Sequence, residues 1–265
     1  MTRPARRPGR APALLTATAR AAAHPADASW PARLAEDLRE LGADWRESAQ
    51  VCAEAAWSAR SAGHSVLGLL SPQQVTAAGP DPVTVRTYRH LYLSALRFDF
   101  RCPALQAFVE QLPDPALRSL DCYSRALYAF ALLGQSRPEG LPLMDEVLAE
   151  AGDHAKTLHV LLHCLWLGPD LDQGAERLLA LSAHPAFNTG AGTGADPIVL
   201  FRVAGALRRL RRYDEGLAAI DRALDLLPPG DLAVHADLVR ERSLILAARD
   251  LHPHPPTPAT AGTPA

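Results

Sequence analysis

"RRYDEGLAAIDRALDLLP", Arg211 to Pro228, is the stretch on which the reading of this 265-residue chain turns. Its apolar residues recur with a period near 3.6, so it is an amphipathic helix. The question is whether it stands alone or forms one half of a repeating unit. Strand signals are nearly absent elsewhere: β-branched runs are few, and no Asn-Gly or Asp-Gly hairpin turn occurs. Three Asp-Pro pairs, Asp81-Pro82, Asp114-Pro115 and Asp196-Pro197, each precede an apolar periodic segment. An aspartate N-cap followed by proline marks a helix start, because the first turn does not use the amide that proline lacks.

These starts predict paired helices at 83–98 with 103–112, 115–134 with 138–151, 154–168 with 171–183, and 197–211 with 213–227. A closing helix is expected at 231–249. Upstream, 31–41 and 45–62 read as helices, with a short one near 65–77. The second helices align on Gly140, Gly174 and Gly216, each preceded by an acidic or amide residue. The first interval is 34 residues and the second 42; the surplus of eight is the Gly/Thr segment "NTGAGTGA", 188–195. Leu133-Gly134 and Leu167-Gly168 keep the same register through the first helices.

A helix-turn-helix period of 34 residues resembles the tetratricopeptide repeat. In the last unit Leu200 stands at that family's Trp position, Val203-Ala204 at Leu-Gly, Leu207 at Tyr, Gly216 at the small Ala and Ile220 at Phe, followed by Ala223 and Pro228. Tyr128 and Leu162 depart from the pattern, occupying a place that the family gives to a small residue. The resemblance is good over 115–250, shorter over 81–113 and in outline over 30–80. It implies an all-α fold: a right-handed superhelical array of antiparallel helix pairs, an α-solenoid spanning 30–250. The closing helix would cap it, offering Leu232, Leu238, Leu244 and Leu246 to the last repeat.

Composition sets the frame. A hydrophobic fraction of 48%, a charged fraction of 21% and a net charge of -2 give no global pull toward nucleic acid or anionic membrane. Lysine occurs once, at Lys156, and Asn188 is the sole asparagine, the bias of a GC-rich bacterial genome. Cys52, Cys102, Cys122 and Cys164 show no C-x-x-C spacing and read as reduced, buried thiols of a cytoplasmic protein. No apolar run reaches the roughly 18 residues of a membrane span. Residues 1–29 begin with four arginines in the first ten and read as a disordered basic tail. Residues 251–265 read as a disordered Pro-rich tail.

Catalytic signatures are weak. "GHSVLG", 63–68, has one residue too many for a nucleophile elbow and no strand before it. "GAGTGA", 190–195, fits a dinucleotide fingerprint formally but lacks the preceding strand, and reads as a spacer. His159 and His163 lie four apart on one helical face, a spacing that lets two imidazoles share zinc, yet Val160 stands where a zincin has its glutamate. The expectation is therefore no enzyme, no cofactor and no resident metal, with a metal-dependent site at His159 and His163 as the remaining enzymatic alternative.

The resemblance implies instead a concave surface of first helices that binds a peptide segment of another protein. Its groove-facing positions map to Arg125, Lys156, His159, His163, Trp166, Phe201, Arg208 and Arg209, with Cys122, Leu132 and Ile198 beside them and Arg89 continuing the row. Arginine forks and flat aromatic faces suit an acidic peptide or a free C-terminus. The equal alternative is that Arg208, Arg209, Arg211 and Arg212 form a solvated helix face. A second functional class is a regulatory or sensor array acting in trans on a transcription or signalling partner. Nucleic acid, membrane and small-molecule partners are not expected.

Overall fold

The computed structural model describes residues 27–76, 81–113, 119–168, 170–188, 196–227 and 231–252. Among these the chain is all-α, with twelve α-helices, two short 3-10 turns and no strand. Most of the expected tails, the Asp114-Pro115 start and most of the Gly/Thr spacer fall outside the described residues, while Leu251, expected in the C-terminal tail, closes the last helix. The helices are α1 Trp30–Glu40, α2 Trp45–Ser61, α3 Pro72–Thr76, α4 Pro82–Phe98, α5 Cys102–Glu110, α6 Cys122–Leu133, α7 Gly140–Ala151, α8 Ala155–Leu167, α9 Leu171–Ser182, α10 Pro197–Arg209, α11 Tyr213–Leu226 and α12 Leu232–Leu251. The chain falls into two compact units, Met1–Pro169 and Asp170–Ala265.

Helix starts follow the side-chain caps. Asp81 accepts from the Thr84 amide at 2.7 Å, and Asp196 from the amides of Ile198 and Val199. Asp44 and Glu47 form a reciprocal capping box at α2. The helix expected to run through 134 has its described part at Cys122–Leu133, capped by Asp121, whose carboxylate accepts from the Ser124 amide at 2.9 Å.

In the first unit α4 packs against α1, α2, α3, α5 and α6, and α6 against α5, α7 and α8; α7 also meets α8. Helices α4 and α6 thus each contact their own partner and the first helix of the following pair. The core they enclose includes Leu91, Leu96, Leu105, Tyr123, Phe130 and Met144. In the second unit α9 packs on α10, α10 on α11, and α12 covers both α10 and α11.

Three of these pairs share one turn. Phe100, Ser136 and Arg211 each take a positive φ, 55°, 58° and 59°. The following amide reaches back to a carbonyl five residues earlier: Arg101 to Leu96 at 2.8 Å, Arg137 to Leu132 at 3.0 Å, Arg212 to Leu207 at 2.8 Å. This is the Schellman closure of a helix C-terminus, usually given to glycine. Helices α1 and α2 do use glycine for it, at Gly42 and Gly63. Helix α8 ends differently, at an extended Gly168 (φ -57°, ψ 152°). Accordingly the expected pair 154–168 and 171–183 is divided, α8 belonging to the first unit and α9 to the second.

The glycine register has a packing reason at Gly140. A Cβ there would lie 2.7 Å from Leu133 Cγ and 3.0 Å from the Ala129 carbonyl oxygen, so α6 and α7 approach too closely for alanine. At Gly216 the same atom would lie 3.4 Å from the Ala204 carbonyl oxygen, which alanine tolerates with a small adjustment. Helix α12 departs from the expected cap: Val234, Leu238, Glu241 and Ile245 face inward, whereas Leu232 and Leu244 are exposed and Leu246 is half-buried.

Candidate functional site

Two polar centres lie on α4, one closed and one open. At the closed one Asp121 Oδ2 accepts from Arg89 Nη2 at 3.1 Å and sits 2.9 Å from His90 Nε2. His90 Nδ1 lies 3.1 Å from Ser48 Oγ on α2. One carboxylate thus ties α2, α4 and the start of α6. Burial pushes the Asp121 carboxyl up, but the His90 and Arg89 charges outweigh it and hold the group well below the usual carboxylate range. Ser48, His90 and Asp121 stand in the order of a hydrolase relay, yet Ser48 and His90 are fully buried, which seals them from any substrate. Beside them, His154 accepts from the Thr157 hydroxyl and donates Nε2–H to the Arg46 carbonyl, under the Trp45 ring at 5.0 Å. Burial lowers its pKa to about 4, so it is neutral.

The open centre is at the other end of α4. Arg97 lays its guanidinium over Phe98 at 5.1 Å and over Phe130 at 5.9 Å. Its Nε is buried and has no hydrogen-bond partner, and the side chain forms no ion pair among the described residues. Burial pulls the guanidinium pKa downward, and the neighbouring Tyr123 and Cys164 oppose it only in part. Phe100, held by its left-handed turn, is 51% exposed and packs edgewise on Phe130 and His163 at 5.4 and 5.2 Å. Phe130 and His163 are themselves 4.8 Å apart. On the far side Trp57 meets Phe98 edge-on at 5.2 Å, and Arg60 covers Trp57.

The residues expected from the sequence are distributed unevenly. Arg125 forks onto Glu150 at 2.9 to 3.2 Å, and Lys156 meets Glu54 at 3.0 Å. Arg208 is bound to the buried Glu241 at 2.7 Å, in the second unit. Arg89 is buried on Asp121 and does not continue a surface row. His163 is buried between the Phe100 and Phe130 rings, while His159 and Trp166 on the same helix are half-buried. Phe201 and Arg209 are half-buried on α10, the former under the Arg202 guanidinium at 5.3 Å. Of the set, His163 joins the open centre.

Sequence reasoning missed Arg97, Phe100 and the Ser48–His90–Asp121 chain. Asp121 carried a local signal, an aspartate three residues before Ser124; its partners Arg89 and His90 are more than thirty residues away. The four cysteines are unpaired and buried. Burial raises the thiols of Cys52 and Cys164 to about 12 and that of Cys122 to about 11, which keeps them protonated and poorly nucleophilic. Among the described residues no group of three or more His, Cys, Asp or Glu side chains is gathered to hold a metal ion, and no helix is long and apolar enough to cross a membrane. No protein-family model, curated protein or solved structure matches the chain.

Proposed function

We propose that the chain is a non-enzymatic protein-interaction scaffold of the cytoplasm, a tetratricopeptide-like superhelical array. A peptide segment of another protein docks on it with a carboxylate against Arg97 and an apolar side chain against Phe100. The observation that carries this reading is the Arg97 guanidinium, desolvated on two aromatic rings with no ion pair among the described residues. A cation removed from water costs free energy until an anion reaches it, and a carboxylate matches the planar fork with two hydrogen bonds. Phe100 adds a second reason: its ring is 51% exposed beside Phe130 and His163, which offers an apolar contact to a docking side chain. The Schellman-closed helix pairs support the array, because stacked pairs offer extended surfaces to a peptide.

Selection of random peptides with free C-termini on the full chain, followed by fluorescence anisotropy on the enriched sequences, tests this. The enriched peptides should carry Asp, Glu or an indispensable terminal carboxylate, and Arg97→Met should weaken them about 30-fold, equivalent to about 2 kcal/mol. Peptides that bind Arg97→Met as tightly as the wild type would overturn the proposal.

A further inference from the structure

Arg97 and Phe100 stand in a fixed spatial relation. Phe100 follows the last turn of α4: its amide donates to the Arg97 carbonyl at 3.0 Å, and the next amide, that of Arg101, donates to the Leu96 carbonyl at 2.8 Å. Both side chains rest on the same ring. The Arg97 guanidinium carbon lies 5.9 Å from the Phe130 centroid, and the Phe100 ring lies 5.4 Å from it. Backbone hydrogen bonds and a shared support thus set a cation and an aromatic face at one separation before any ligand arrives, which lowers the ordering cost of binding.

The surroundings give the site a direction. On one side of Arg97, Phe98 is half-buried against Trp57, Trp57 lies under Arg60, and Arg60 already meets an acid, Asp99, at 3.5 Å. Toward Phe100 the surface ends in a ring that is 51% exposed. A segment whose carboxylate reaches Arg97 therefore gains apolar contact by continuing toward Phe100. Phe100 meets its two neighbours edgewise, at 76° to Phe130 and 62° to His163. An aromatic side chain laid on its open half extends the same edge-to-face packing, which an aliphatic one does not.

The links through Phe130 limit the spacing. In an extended segment successive side chains point to opposite faces and the chain rises about 3.3 Å per residue, so neighbours on one face are two residues and about 7 Å apart. Side chains four residues apart would need about 13 Å, more than the two links to Phe130 can span. Adjacent residues, and residues three apart, face opposite ways. Two is the spacing that remains.

We infer that the site reads an extended segment with an acidic and an aromatic side chain two residues apart, the carboxylate forked on Arg97 and the ring packed on Phe100. This rests on the peptide-docking reading of Arg97 and adds to it a spacing and a requirement for a ring.

Fluorescence anisotropy of the full chain with C-terminally amidated peptides tests it, so that the acidic side chain supplies the peptide's carboxylate. Each peptide carries one Glu and one Phe in a Ser/Thr host, in either order, adjacent or two, three or four residues apart. At spacing two, one order should bind about tenfold tighter than every other spacing. Replacing the peptide's Phe by Leu should cost about fivefold, and replacing its Glu by Gln should abolish binding. Phe100→Gly, a substitution that suits the positive φ of the turn, should bring the best peptide down to the level of the others, whereas Arg97→Met should weaken them all. Binding that needs Arg97 but ignores the spacing, the peptide's ring or Phe100 overturns this inference and leaves the docking reading intact. Binding indifferent to Arg97→Met overturns both. Absence of binding by every amidated peptide overturns the inference as well, and the same set with free C-termini then decides whether the docking reading survives.

Discussion

Helix α4 carries two arginines that leave water in different ways. Arg89 meets Asp121, which also takes His90 and caps α6, so that its charge is neutralised inside the fold. Arg97, two turns further on, rests on Phe98 and Phe130 with no acidic partner among the described residues. The first arrangement consumes its polar groups in holding three helices together. The second leaves a charge without an acidic partner among the described residues. The contrast lies within a single helix: burial is common to both arginines, and the acidic partner among the described residues differs.

The largest effect should come from opening the closed centre. Asp121→Ala leaves two buried basic side chains without their acceptor and removes the α6 cap, and should cost about 3 to 5 kcal/mol in denaturant unfolding. A loss under about 1 kcal/mol would mean that the network contributes little and that the two arginines are alike.

Acid sharpens the same comparison with a smaller effect. His154, packed against the closed end, has its pKa lowered from 6.5 to about 4 by burial. The unfolded chain binds this proton first, so the stability it confers is present above about pH 6.5 and is lost as pH falls toward 4. Asp121, with its pKa depressed, loses its contribution only at more acid pH. Melting temperatures measured across pH 4 to 7 should therefore fall in the wild type and stay flatter in His154→Gln; parallel curves would remove His154 from the account.

The sequence was legible where information is local. Asp81-Pro82 and Asp196-Pro197 open helices as their chemistry requires, and the glycine register found a close contact at Gly140. It overstated Gly216, where the helices leave room for a Cβ. The Schellman turns were illegible because Phe100, Ser136 and Arg211 do not announce a positive φ as glycine does. The outward Leu232 and Leu244 were assigned inward because leucine spacing alone does not fix which side of a helix meets its neighbour. The candidate site was read least well. Arg125, Lys156 and Arg208 look like free cations in the sequence, but each is paired across helices: Arg125 and Arg208 with glutamates 25 and 33 residues away, Lys156 with the distant Glu54. Arg97 is distinguished by the absence of an acidic partner among the described residues, which no local pattern announces.

The central claim is that Arg97 is kept for a ligand and not for the fold, and urea unfolding of Arg97→Met tests it most directly. A flexible apolar side chain of similar length replaces a desolvated cation that has no acidic partner among the described residues, so the expected result is unchanged stability or a gain of about 1 kcal/mol. A loss of about 3 kcal/mol, the size expected for breaking a buried ion pair, would contradict it and make Arg97 a structural residue like Arg89.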